Sequence, residues 1–202
     1  MKKVPSRLPR RLFFAALPAL LAACSALDLL NATAATTTYS RTEGIACGPA
    51  DGAKERHKLD VYQPVGSVKN APLVVFFYGG SWTSGARGDY RFASEVPPCQ
   101  GIVAIAADYR LRPAVRYPVF VQDSALALRW GFDNAALLGA NPAKVFVMGH
   151  RAGAYNAAML ALDPRWLAAV ELSPAQLAGW IGLAGPYDFL PIGDKTPQVA
   201  FS

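Results

Sequence analysis

Three uninterrupted apolar runs constrain this chain more than any other feature. They are Pro72-Leu73-Val74-Val75-Phe76-Phe77-Tyr78, Ile102-Val103-Ala104-Ile105-Ala106-Ala107 and Val145-Phe146-Val147-Met148. A strand that is apolar on both sides must be covered on both faces, which is the condition of a strand inside a parallel sheet. Between and after these runs the spacing changes. Phe120, Val121, Ala125, Leu128 and Phe132 fall mostly on one face of a helix expected over Pro118 to Leu138. Ala154 to Leu162 reads as a second helix and Gly179 to Gly185 as a fourth strand. Lys58-Leu59-Asp60-Val61-Tyr62 alternates polar with apolar, which predicts a half-buried strand. Buried strands alternating with helices define the α/β class, a mostly parallel sheet with helices on both faces.

The formal charge of +6 would suit a nucleic-acid binder, but its distribution argues otherwise. Lys2, Lys3, Arg7, Arg10 and Arg11 all precede the first acid, Asp28, and taking those five from +6 leaves +1 for the body. A near-neutral body gives little support to a nucleic-acid phosphate-binding surface. The basic start is followed by the apolar run Leu12 to Ala23. That run is too short to span a bilayer, which takes about 20 residues, and it fits an export signal. Its end, Leu21-Ala22-Ala23-Cys24, resembles the lipobox of bacterial lipoproteins, in which the cysteine is acylated. This divides the chain into a lipoprotein-type signal over 1–23, a flexible tether over 24–50 rich in Ala, Thr and Ser, and a domain over 51–202. Cys24 is then a lipid anchor on the periplasmic side of a bacterial membrane. The alternative is an ordinary signal cleaved near Ala32 to Ala35, releasing a soluble exported protein. Cys47 and Cys99 are left open as a pair. No Cys/His cluster predicts a metal, and no GxGxxG or GxxxxGK[ST] predicts a nucleotide cofactor.

Two motifs carry chemistry. Gly149-His150-Arg151-Ala152-Gly153 lies between the third apolar run and the second helix, and Tyr78-Gly79-Gly80-Ser81-Trp82 closes the first run. Strand, Gly-x-Z-x-Gly, helix is the frame of a nucleophile elbow. Asp108-Tyr109-Arg110-Leu111 and Gly185-Pro186-Tyr187-Asp188 follow two other strands. The four segments in this order resemble the α/β-hydrolase superfamily, in particular exported carboxylesterases and lipases of the His-Gly-Gly-x-Trp type. Isoprenylcysteine methylesterases and feruloyl-esterase-like bacterial lipases are similar. The resemblance runs from about His57 to Ser202. It implies an α/β-hydrolase fold, a small-molecule ester substrate in intact relatives, no cofactor, and an oxyanion hole from the amides of Gly79, Gly80 and Ala152.

The departures are as informative. Tyr78 stands where many relatives have His. Arg151 stands where the family has its nucleophilic Ser, and a guanidinium has no lone pair to attack a carbonyl. The family order is nucleophile, acid, base, yet the two histidines, His57 and His150, do not follow the elbow. Asp188 and Asp194 come one strand too early for the triad acid, and Asp188 reads as a turn residue. The resemblance therefore implies further strands beyond residue 202, a C-terminally truncated domain, and a last strand left as a bare edge. Ser81 lacks the Gly-x-Ser-x-Gly frame of a nucleophile. Trp82, Trp130, Trp166 and Trp180 read as packing residues. Arg87-Gly88-Asp89 spells an adhesion tripeptide but reads as the start of a helix over Tyr90 to Val96 with Asp89 at its cap. The expectation is a carboxylic-ester hydrolase family member that is inactive as written. The alternatives are a non-catalytic lipoprotein binding an anion at Arg151, and a gene fragment without function.

Overall fold

The structure is a computed structural model and describes residues 39–49, 55–188 and 200–201. Its centre is a sheet of six strands: β1 (Tyr39–Ala46), β2 (Lys58–Pro64), β3 (Ala71–Phe77), β4 (Val103–Ala107), β5 (Ala140–His150) and β6 (Gly179–Leu183). Their order in space is β1-β2-β4-β3-β5-β6. β4, β3, β5 and β6 are parallel neighbours, while β2 runs antiparallel to β4 and to β1. The helices are α1 (Arg91–Cys99), α2 (Val119–Asn134), α3 (Ala152–Leu162) and the short α4 (Pro164–Ala168).

The two faces of the sheet follow from the period of two. Leu73, Val75 and Ile105 face α2, so closely that a Cβ on Gly131 of α2 would sit 3.1 Å from Val75. Phe76 faces the other way, its ring 5.7 Å from Tyr90 at the start of α1. Tyr62, Ala104 and Ala106 form a separate buried cluster on that second side. β3 and β4 can be apolar throughout because each is covered twice. This is the α/β-hydrolase fold, with its parallel core and helices on both faces as the apolar runs require.

Several local expectations need correction. Residues 39–46, expected to be tether, form β1 instead. Its side chains up to Glu43 are mostly polar, but Arg41 Nη2 donates to Asp60 Oδ2 at 2.7 Å and the Gly44 amide donates to Asp60 Oδ1 at 2.9 Å. These bonds reward docking that hydropathy does not reveal. β2 is not half-buried: Leu59, Asp60, Val61 and Tyr62 are all within 2% of complete burial. The polar member of the alternation, Asp60, is a buried acceptor held by Arg41 and Arg87. Asp89 does not cap α1. It closes the preceding 3-10 turn by accepting from the Ala86 amide at 2.8 Å. α2 stops at Asn134, and β5 begins at Ala140, earlier than the apolar run.

β6 pairs with β5 and is largely exposed, with Ile181 at 41% and Leu183 at 42%. The expected signal over 1–23, the lipid-anchor residue Cys24, the tether up to residue 38 and Asp194 lie outside the described residues. Cys47 and Cys99 are not joined in a disulfide. Cys47 is half-buried, and burial pushes its thiol up to about 12. Among the described residues no helix is long and apolar enough to cross a membrane.

Candidate active site

β5 leads directly into the elbow. Arg151 has φ 49° and ψ −115°, and α3 starts at the next residue. A non-glycine residue held in this region stores about 1–3 kcal/mol of strain, which the neighbouring contacts must offset. The Arg151 amide donates to the Leu183 carbonyl at 2.8 Å, tying the turn to the end of β6. Its carbonyl accepts from Ala154 and Tyr155 at 2.9 and 3.2 Å, starting α3.

The flanking glycines are required for space. A Cβ on Gly149 would lie 2.1 Å from the Gly153 carbonyl oxygen. A Cβ on Gly153 would lie 2.1 Å from the Phe77 oxygen and 2.5 Å from the Tyr78 oxygen. The Gly-x-Arg-x-Gly frame is therefore what allows helix α3 to start against the end of β3. It brings the two motifs together: a Cβ on Gly79 would be 3.1 Å from the Arg151 Cβ and 3.1 Å from the His150 carbonyl oxygen.

The second motif is a tight loop. Gly80 has φ 131°, and its carbonyl accepts from the Thr83 and Ser84 amides at 3.0 and 3.1 Å. Ser81 and Trp82 follow at φ 53° and 58°. Tyr78 anchors the loop from below. Its ring stacks on Tyr109 at 4.6 Å, and the Tyr109 hydroxyl donates to the Tyr78 carbonyl at 2.7 Å. Arg56 Nη1 donates to the Tyr78 hydroxyl at 3.2 Å and to the Gly85 carbonyl at 2.8 Å. Burial pushes the Tyr78 and Tyr109 phenols well above their ordinary range. Tyr78 is thus a wedge under the loop.

Tyr90 and Arg56 were not legible as site residues, because the chain carries no signal linking them to residues some 60 or 22 positions away. Tyr90 joins both motifs: its hydroxyl shares a backbone bond with Gly79 and lies 3.1 Å from His150 Nδ1. His150 is therefore a bonded wall of the elbow. Burial, then the Arg151 cation, lower its pKa. His57 belongs to a different cluster. Its Nε2 lies 2.9 Å from Asp123 Oδ1, and Asp123 also accepts from the Arg110 amide, Nε and Nη2. Both histidines are thus bonded away from Arg151 and from Ser81.

The Asp-Tyr-Arg segment is consumed in structure. Asp108 accepts from the Arg87 amide at 2.8 Å and pairs with the Arg87 guanidinium. Tyr109 supports Tyr78, and Arg110 holds Asp123. Asp188 is exposed. Trp82 is a packing residue, 1% exposed, whereas Trp180 is 38% exposed. Among the described residues no group of three His, Cys, Asp or Glu side chains could hold a metal ion.

The chain is similar to known proteins in sequence and in fold. The BD-FAE family matches residues 59–197. Carboxylesterase NlhH of Mycobacterium tuberculosis is 39% identical over 103 residues, which are 50% of this chain and 32% of that protein. The probable isoprenylcysteine alpha-carbonyl methylesterase ICMEL1 of Oryza sativa subsp. japonica is 29% identical over 148 residues, 71% of this chain and 35% of its own. Among solved structures, Thermogutta terrifontis esterase 2 matches with a TM-score of 0.60 at 32% identity, covering 68% of this chain and 52% of that one. EstE1, a thermostable carboxylesterase from a metagenomic library, matches in fold with a TM-score of 0.69 at 22% identity, covering 83% and 54%. The chain spans about a third of the length of these curated relatives. An elbow after β5, a glycine loop after β3 and a match that extends through both make this chain a member of the BD-FAE family, with the fold of the α/β-hydrolase esterases.

Proposed function

We propose that this carboxylesterase-family chain is inactive as an esterase and forms no acyl-enzyme. The observation that carries the reading is Arg151, exposed at the nucleophile position with the elbow's φ of 49° intact. Its guanidinium offers five donors and accepts nothing. Gly80 and Ala152, on the two loops that meet here, are the backbone groups we assign to hold a carbonyl oxygen. Gly79, the third, already shares a bond with Tyr90. Esters are the ligand class that relatives named carboxylesterase support. In the test, a fluorophosphonate probe is added to the purified chain. The expected result is no covalent label above a heat-denatured control. A label on native protein, at Ser81 or elsewhere, would sink the proposal.

A second reading is favoured by charge. The Arg151 cation is close enough to lower the pKa of both Tyr90 and His150, although burial outweighs it at Tyr90. With the N-terminus of α3 beside it, the elbow would suit a carboxylate or phosphate. Millimolar acetate or phosphate is expected to raise the melting temperature of the wild type and not of Arg151→Ala. An equal rise in both would remove this reading.

We also read residues 1–23 as an export signal and Cys24 as an acylated anchor. Radiolabelled palmitate fed to bacteria expressing the chain is expected in the wild type and absent from Cys24→Ser. Equal or absent label in both contradicts it.

A further inference from the structure

The end of the sheet opposite the elbow carries exposed apolar side chains and few charges. β3 and β5 both run toward the elbow, so the loops that feed them, 65–70 and 135–139, meet at the far end. The Ala71 amide donates to the Gly139 carbonyl at 3.2 Å, and Asn141 Nδ2 donates to Asn70 Oδ1 at 2.6 Å. Gly139 has φ 76°, and a Cβ there would lie 2.3 Å from the Val68 carbonyl oxygen, so the two loops are in close contact. Leu137 is 83% exposed and Val65 67%. A shallow depression of about 350 Å³ is lined by Lys69, Asn70, Gly139, Asn141 and Pro142 among others.

Residues 64–70 and 135–145 contain no acid, and their charged side chains are Lys69 and Lys144, both exposed. Lys144 Nζ donates to the Asn70 carbonyl at 3.5 Å, which puts it on the same face as Lys69. The nearest acid in sequence, Asp133, is paired with Arg129. Apolar side chains ringed by lysines and free of carboxylates suit a layer of anionic headgroups. The chain also enters the domain at this end. β1 is antiparallel to β2 and starts with Tyr39 opposite Pro64, the residue before Val65. Val96, 65% exposed, adjoins that entry, next to Glu95, which accepts from the Tyr39 hydroxyl. Cys24 precedes Tyr39 by fifteen positions, a stretch that spans at most about 50 Å.

We propose that this face docks on an anionic bilayer, with Val65 and Leu137 in the headgroup layer and Lys69 and Lys144 against its phosphates. One acyl chain holds a protein to a bilayer only marginally, and a second basic or apolar contact makes the attachment stable. The proposal rests on the reading of Cys24 as the anchor that brings the domain to the membrane, while the face sets the domain's orientation. Docked this way, Arg151 and the glycine loop open into water, one β3 length of about 20 Å from the lipid. The candidate site then takes its ligand from the aqueous phase rather than from the bilayer.

The experiment follows amide hydrogen exchange in the 202-residue chain carrying Cys24→Ser, so that acylation plays no part. It is added to vesicles of phosphatidylglycerol or of phosphatidylcholine. With phosphatidylglycerol, exchange in residues 65–70 and 135–141 is expected to slow about threefold or more, while residues 79–84 exchange as they do without lipid. Phosphatidylcholine is expected to protect less. Lys69→Glu with Lys144→Glu, and separately Leu137→Asp, change exposed side chains and leave the core untouched. Each is expected to lose the protection and keep the parent's melting temperature. Protection that is absent from 65–70 and 135–141, equal in the two lipids or in either variant, or centred on 79–84 overturns the proposal. So does slowing that grows with protein concentration without vesicles, which would make the occupant a second copy of the chain. Because the tested chain lacks Cys24, a wild type that takes no palmitate leaves this outcome unaffected, and the anchor and the face fail independently.

Discussion

Gly153→Ala is expected to lower the melting temperature by about 6–12 °C, or to abolish cooperative unfolding. The added methyl would meet two backbone oxygens of the β3 end, at 2.1 and 2.5 Å, and neither can turn aside as a side chain would. Relief requires α3 to move away from β3, which breaks the contact that brings Gly79 to Arg151. Overpacking of this kind costs about 3 kcal/mol or more, and in a domain of this size each kcal/mol is worth about 2–4 °C. Gly88→Ala is the control, since a Cβ there has nothing within 4 Å. Equal melting temperatures for the two variants would show that the close approach of α3 to β3 is not needed for the fold.

Asp60→Ala is expected to cost about 3 kcal/mol. Asp60 is 1% exposed and takes bonds from Arg41 Nη2 at 2.7 Å, Arg87 Nε at 2.6 Å and the Gly44 amide at 2.9 Å. Removing it leaves two part-buried guanidiniums with only Glu43 and Asp108 as partners, and an undercompensated buried charge is what makes such deletions severe. The partly exposed arginines keep the figure at the lower end of the usual range. Asp133→Ala, which breaks the exposed pair with Arg129, is expected to change melting little.

The same site sets an acid limit. Burial pushes the Asp60 carboxyl up, but bonds from Arg87, Arg41 and Gly44 outweigh it and hold it below the usual carboxylate range. A carboxyl lowered in the folded state contributes stability that is present above about pH 4, the unfolded value, and is lost as pH falls through the folded value. Asp60→Asn is therefore expected to unfold at lower stability but with a flatter dependence on pH below 4. Urea midpoints measured across that range check both statements, and an unchanged slope would contradict the assignment.

β3 and β4 were legible in the chain because a strand covered on both faces has to be apolar at every position, and β5 only through its apolar part at 145–148. β1 and Asp60 were not, and for one reason. A buried charge reads as a surface residue until its partners are known, and Arg41, Arg87 and Asp108 come from three separate stretches. The elbow was legible because sterics demand glycine at 149 and 153, whatever stands between them. Tyr90, which joins the two loops, had no local pattern to announce it.

The chain by itself therefore determined the class of sheet, the family, and the presence of a non-nucleophilic residue at the elbow. These rest on local constraints: burial on two faces, glycine where a Cβ cannot fit, and the chemistry of a guanidinium. The tertiary structure alone decided what each polar group does. It bound His57 to Asp123 and His150 to Tyr90, and it seated Phe201 among Trp82, Tyr117, Phe120 and Tyr155. Such pairings join residues far apart in sequence, and only the packing of the helices on the sheet brings them within bonding distance.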